Sequence, residues 1–307
     1  MKNPLKDERL IQGLMGLWKF DDIKDISSLI SFDLEHGIHF FDISDIYSSG
    51  RCEEKLGAVL KENPFFREKM IIQTKVGLRR VSSGEHMNYY DLSYDHIMEG
   101  AEASLKRMGI SYIDYYLLHR PDILMDNKEI AKAFKELKAS GKVRHFGVSN
   151  FSPEAIEYLL SATDIPLEVN QLQLGLGHLD LVSEVVNTNV ENKEGTPFGL
   201  DLFFYTKRKN MALQCWSPNL YGSQRTSIYT EPALLNLQNK MKELAAKYSV
   251  SSPAIANAFL FQLGDNVQVV TGATSQEHIL EALDGLKVHL SKEEFYSLYT
   301  SSGNLLP

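Results

Sequence analysis

Eight short runs rich in β-branched and aromatic residues alternate along this chain with stretches whose apolar residues recur at helical spacing, and that alternation leaves few folds open. In order the runs are LIQGLMGL from Leu10, HFFDIS from His39, MIIQTKV from Met70, YIDYYLLH from Tyr112, VRHFGVSN from Val143, LEVNQLQL from Leu167, MALQCWS from Met211 and VQVVTGA from Val267. Their apolar density predicts strands buried on both faces, as in a parallel sheet covered by helices. Between them Ile23, Ile26, Ile30 and Leu34 form an apolar stripe that stops at Gly37. Cys52, Leu56, Val59 and Leu60 form a second, and Ile97, Ala101, Leu105 and Met108 a third that stops at Gly109. Ile130, Phe134 and Leu137 stop at Gly141, and Ser152-Pro153 reads as a helix start with Ser at the cap and Pro in the first turn.

Eight strand-then-helix units fit a closed (β/α)8 TIM barrel better than an open doubly wound sheet, because no GxGxxG fingerprint follows the first strand. No linker interrupts the pattern, so residues 1–307 are expected to form a single domain, with extended loops at the C-terminal mouth of the barrel. Two polar stretches are expected as long loops: RRVSSGEHMNYYDLS after the third strand and NTNVENKEGTPFG ahead of a helix at LDLFFYTKRK.

Composition narrows the function. A formal charge of -8 offers no basic face for nucleic acid or anionic lipid. Cys52 and Cys215 are the only cysteines and stand in no zinc-ligand spacing, so no metal site is expected and a reduced, cytoplasmic setting fits. The N-terminus MKNPLKDERLIQG is charged where a signal peptide needs an apolar core, and no apolar run has the length of a membrane span.

In a barrel of this kind chemistry sits where strands end at their C-terminal side. Asp42 closes the second run, Lys75 the third, His119 the fourth, and Ser149 and Asn150 the fifth. Asn170 and Gln171 lie within the sixth, and Trp216 and Ser217 end the seventh. Singly most have ordinary explanations, such as Asp42 as a helix cap or His119 as a core histidine. Lys75 in an apolar QTKVG run is harder to account for, since a buried lysine is costly unless paired or used. Together these groups can do something more specific. A phenol with a pKa of about 10 is a reluctant acid at neutral pH, and a neighbouring ammonium lowers that value by roughly 1 to 3 units. Lys75 can supply that charge to Tyr47, Asp42 can hold the lysine charged and oriented, and His119 can donate a hydrogen bond to a developing alkoxide or orient a carbonyl.

The segments FDISDIY, QTKVG, LLHRPD, GVSNF, NQLQL and CWSPNLYG occur in the order found in the aldo-keto reductase superfamily, which the chain resembles over nearly its whole length. HRPDILMD through GKVRHFGVSNFSP resembles the bacterial YdhF-like oxidoreductases. The resemblance implies an NADPH-dependent reduction of an aldehyde or ketone by a monomer acting on a small molecule, with Asp42, Tyr47, Lys75 and His119 as the catalytic tetrad. It also implies that Ser149, Asn150 and Gln171 hold the nicotinamide carboxamide and that Trp216 stacks on the ring. Ser217, Pro218, Asn219, Leu220 and Gly222 are then expected along the pyrophosphate. VTGATSQEHILEAL occupies the place of the adenosine phosphate site, where Thr274, Ser275 and Glu281 are compatible. Gly272, His278 and Ala282 depart from it, since many relatives carry Lys, Arg or Gln, and Asn there. Fewer cations for a ribose 2′-phosphate leave NADH open as an alternative cofactor. Trp18, Ile46, Arg120 and Tyr221 are candidates to line the substrate pocket.

Three rival readings stand beside the reductase. A non-catalytic, redox-sensing cofactor-binding subunit would keep the cofactor residues without turnover. An aldolase using Lys75 as a Schiff base would require a lowered lysine pKa, which Asp42 opposes. A metal-dependent hydrolase lacks an HxH pair after the first strand.

Overall fold

The structure is a computed structural model that describes residues 4–80, 88–188 and 201–307. Among the described residues eight parallel strands form a closed barrel: β1 (Leu10–Gly13), β2 (Phe40–Asp42), β3 (Ile71–Val76), β4 (Ile113–Leu118), β5 (Val143–Ser149), β6 (Leu167–Gln173), β7 (Ala212–Trp216) and β8 (Val267–Thr271). The order around the barrel is the order in the sequence, which makes this a (β/α)8 fold. All eight expected runs carry a strand. The first is shorter than expected, because after Gly13 the chain tightens into a 3-10 turn over Leu14–Lys19 that buries Leu14 and Leu17 at three-residue spacing.

The apolar stripes become the outer helices α1 (Ile23–Glu35), α2 (Arg51–Glu62), α3 (Tyr94–Met108), α4 (Asn127–Ala139) and α5 (Pro153–Leu160). Their ends follow local chemistry. Asp22 and Ser93 accept hydrogen bonds from backbone N–H groups of the first turns of α1 and α3, and Ser152 does the same for α5 ahead of Pro153. Gly109 ends α3 at φ +64, a conformation that costs a residue with a Cβ about 1 kcal/mol or more. Phe134 of α4 stacks on Phe146 of β5 with centroids 4.2 Å apart, tying helix to strand.

The chain divides into two compact units, Ile11–Asn170 and Met1–Leu10 with Gln171–Pro307. In the first, the parallel register sets Asp42 opposite Gln73 and Lys75 opposite Leu117. The two-residue period of a strand then separates the faces of β3. Gln73 and Lys75 both bond to Asp42 on the barrel side, whereas Thr74 reaches Glu53 of α2. In the second unit a ladder of buried amides crosses three strands: Gln171 donates to Gln214 at 3.0 Å, Gln214 to Gln268 at 3.1 Å, and Gln268 to the carbonyls of Leu5 and Glu8. Polar groups inside a barrel are tolerable when paired in this way.

That second unit continues through α6 (Asp180–Val186), α7 (Leu202–Arg208), α8 (Leu235–Tyr248), α9 (Ser252–Phe261), α10 (Gln276–Asp284) and α11 (Lys292–Ser301). The helix expected at LDLFFYTKRK is α7. Of the expected loop NTNVENKEGTPFG, positions 189–199 lie outside the described residues, as does position 200. The other expected loop contains short strands. Leu78–Arg80 and Asn88–Tyr90 pair antiparallel, joining Leu78 to Tyr90 and Arg80 to Asn88; positions 81–87 lie outside the described residues.

Candidate active site

The C-terminal ends of β2 and β3, the turn after β2 and the residue after β4 bring Asp42, Lys75, Tyr47 and His119 together. Lys75 is fully buried, and its ammonium uses all three of its donors: Asp42 Oδ2 at 2.8 Å, the Ile43 carbonyl at 2.9 Å and the Tyr47 hydroxyl at 3.2 Å. Burial pulls the lysine pKa down, but the charge of Asp42 and the attractions to Tyr47 outweigh it, so Lys75 is held above the ordinary lysine value and charged. Its Nζ also lies 5.0 Å from the Tyr47 ring centroid. A fixed cation beside a phenol oxygen favours the phenolate and makes Tyr47 a better proton donor.

His119 meets Tyr47 edge to face, with centroids 6.0 Å apart. Burial first, then the charges of Lys75 and Arg120, push its pKa well below the ordinary imidazole value. A neutral imidazole offers one N–H and one lone pair, which suits it to hydrogen bonding.

Tyr47 stands at the start of an unusual turn. Ser48, Ser49 and Gly50 follow it at φ +50, +59 and +86, a left-handed run of three. Non-glycine residues in that region cost about 1–2 kcal/mol each, so neighbours must over-determine the turn. Arg51 binds the Ser48 carbonyl and hydroxyl, while Arg80 of the hairpin donates to Ser49 Oγ at 2.7 Å and to the Ile46 carbonyl. Behind the turn, Arg107 of α3 would lie 3.0 Å from a Cβ at Gly50 and pairs with buried Glu53, which accepts from Thr74 next to Lys75.

Several further partners do not stand out as site residues in the sequence, although Gln73 and Ser44 stand inside QTKVG and FDISDIY. Gln73 holds the second oxygen of Asp42 at 2.6 Å, and Ser44 lies 3.1 Å from His119 Nδ1. Glu53, Arg107 and Arg80 look in the sequence like ordinary charged residues on helices and a loop, and only the packing shows what they brace.

The residues expected to hold a cofactor fall into two sets. Ser149 is buried at the end of β5 and Asn150 follows at φ +64, its amide donating to Ser149 Oγ at 2.8 Å and to the His119 carbonyl at 3.4 Å. In the other unit, buried Gln171 heads the amide ladder and half-buried Trp216 ends β7. Ser217 adopts φ +51, and Pro218, Asn219, Leu220 and Gly222 continue into a small hairpin of Leu220–Tyr221 with Thr226–Ser227. Arg225 of that hairpin, which no motif marked, lies 5.7 Å over the Trp216 ring and donates to Ser217 Oγ at 2.5 Å. After β8, Ser275 caps α10 by accepting from the His278 N–H; Gly272, Thr274 and His278 are exposed, and a Cβ at Gly272 would meet nothing within 4 Å. Glu281 is half-buried nearby in the chain. Of the pocket candidates, Trp18 is exposed and Ile46, Arg120 and Tyr221 are half-buried.

Residues 14–300 match the family model described as Aldo/keto reductase family. The chain belongs to the aldo/keto reductase family. It is 32% identical over 294 residues to the 6-dehydroglucose reductase of Agrobacterium fabrum, covering 93% of this chain and 92% of that protein. It is 30% identical over 291 residues to the oxidoreductase YdhF of Escherichia coli, covering 93% and 91%. A crystal structure of an aldo/keto reductase from Klebsiella pneumoniae in complex with NADP and acetate shares the fold at a TM-score of 0.75 and 20% identity, covering 94% of this chain and 89% of that one. The chain is thus an aldo/keto reductase family oxidoreductase, and the YdhF-like resemblance holds. No described helix is long and apolar enough to cross a membrane, and the described residues contain no group of three or more His, Cys, Asp or Glu placed to hold a metal.

Proposed function

We propose that this chain, acting as one catalytic domain, reduces an aldehyde or ketone to an alcohol at the expense of NADPH, with Tyr47 as the proton donor. The observation that carries the reading is the saturated ammonium of Lys75, which spends one of its three donors on the Tyr47 hydroxyl and another on Asp42. An ammonium held at the same time by a buried carboxylate is restrained from swinging away, so the phenol oxygen keeps its cationic neighbour as its proton leaves. His119, neutral, donates an N–H to the same carbonyl oxygen and helps to orient it. The same geometry weakens the Schiff-base reading, because a lysine held charged has no lone pair for a carbonyl carbon.

A bound nicotinamide would supply the hydride. The donor set is suited to it: Ser149, Asn150 and Gln171 offer hydroxyl and amide groups for a carboxamide, and Trp216 offers an aromatic face. Ser217, Pro218, Asn219, Leu220 and Gly222 would follow the pyrophosphate, and Arg225 would add a cation there. Gly272, Thr274, Ser275, His278 and Glu281 would take the adenosine end, where the N-terminus of α10 favours an anion. The NADP complex of the Klebsiella protein supports NADPH as the first choice, with NADH as the competitor. Trp18, Ile46, Arg120 and Tyr221 are proposed to contact the carbonyl substrate. Both cysteines are free and buried, which suits a reducing, cytoplasmic compartment.

Titration with NADPH and NADH, followed by a panel of aldehydes and ketones, tests the reading. Tryptophan quenching with carbonyl-dependent oxidation of the nucleotide is the expected result. Binding without oxidation across the panel would favour the redox-sensing subunit, and no binding of either nucleotide would overturn the proposal.

A further inference from the structure

Ser44 stands at a branch point behind His119. Its hydroxyl lies 3.1 Å from His119 Nδ1, 3.2 Å from Asp45 Oδ1 and 3.4 Å from the Lys75 carbonyl, and it accepts from the Ile46 N–H at 3.4 Å. It is fully buried. A hydroxyl has a single hydrogen to give, so it cannot serve the carboxylate and the imidazole at once. A neutral histidine likewise carries one N–H, on Nδ1 or on Nε2, and the partner of one nitrogen decides the state of the other.

We propose that Ser44 and Asp45 are positioning residues that select the tautomer of His119. With Asp45 protonated, its O–H donates to Ser44 Oγ, Ser44 donates to Nδ1, and the imidazole N–H is left on Nε2. With Asp45 ionised, Ser44 donates to the carboxylate and accepts from Nδ1–H, so that Nε2 presents a lone pair. Switching takes up one proton from solvent at Asp45, while His119 keeps a single proton that changes nitrogen by exchange with water. The tautomer argument stands on this geometry alone. Its catalytic consequence rests on the reductase reading, because only the Nε2–H form donates from Nε2 to a carbonyl oxygen.

The surroundings put the switch in a useful range. Burial and then the Glu53 carboxylate of α2 raise the Asp45 pKa, against the Ser44 hydrogen bond, Arg107 of α3 and the Ile46 N–H, to about 7. Tyr116 of β4 also faces Asp45, and burial, followed by Asp45 and Glu53, holds its phenol neutral. His119 faces Lys75, Arg120 and Tyr47, and burial first, then the two cations, keep it from competing for the proton.

The direct test is 15N NMR of histidine-labelled protein, since the ring nitrogens of the two neutral tautomers have distinct shifts. The His119 signals are those missing from His119→Asn. In the wild type the dominant tautomer should invert from Nε2–H at pH 6 to Nδ1–H at pH 8. Asp45→Asn and Ser44→Ala should abolish the pH dependence, and Ser44→Thr should restore it. One tautomer at both pH values in the wild type, or an unchanged inversion in Asp45→Asn, would overturn the proposal whether or not the protein reduces carbonyls; should Ser44→Ala fail to fold, Asp45→Asn decides alone.

Discussion

Asp33 shows how a single buried carboxyl shapes the pH dependence of this barrel. It lies on the inner face of α1 beside Ile26, Leu29 and Ile30, fully buried, with neither carboxylate oxygen hydrogen-bonded among the described residues. Burial raises its pKa from 3.8 to about 8. The folded state therefore binds a proton that the unfolded state has released, and stability falls as pH rises through that interval, levelling off above the folded value. At 1.36 kcal/mol per pKa unit, ionisation in the unfolded state costs the fold about 4 kcal/mol at pH 7. Asp33→Asn keeps the shape and removes the titration. Urea unfolding of both proteins at pH 5, 6, 7 and 8 should show the variant gaining on the wild type by about 1.4 kcal/mol per pH unit until the difference saturates near the folded pKa. Because the comparison subtracts every other titrating group, parallel stability profiles would refute the reasoning and mean that Asp33 ionises in the folded protein as it does in the unfolded chain.

Other expectations concern the site. Tyr47→Phe should retain nucleotide binding and lose roughly 10²–10⁴-fold in single-turnover reduction, since it removes the acid and little of the pocket; wild-type-like turnover would remove Tyr47 from the mechanism. Lys75→Met strands buried Asp42 without its cation and should cost about 3–5 kcal/mol in denaturant unfolding as well as activity. Gly272→Lys enters open space and adds a cation at the adenosine end, so the ratio of NADPH to NADH affinity should rise about tenfold by fluorescence titration.

Much of this molecule is written locally. Helix and strand periodicities depend on neighbours a few residues apart, so the eight strands and the caps at Ser152 and Gly109 could be read before any fold was known. The grouping of Asp42, Lys75 and His119 was legible for a related reason: in this fold each strand delivers its last residues to one mouth, so position along a strand already implies which side chains meet. The hairpin of Leu78–Arg80 with Asn88–Tyr90 was not, since pairing across a loop of polar residues leaves no periodic mark.

What the tertiary structure alone decided are the partners. The residue types of Asp42, Tyr47, Lys75 and His119 are in the sequence, but the charge state of Lys75 depends on three acceptors brought to one ammonium, and that of His119 on burial beside two cations. Glu53, Arg107, Gln73 and Ser44 took their meaning from groups 21 to 75 residues away along the chain. Local pattern determines secondary structure because it is set by sterics and backbone hydrogen bonding within a turn or a pleat. Proton chemistry depends on dielectric and distance, and those exist only once distant segments have packed.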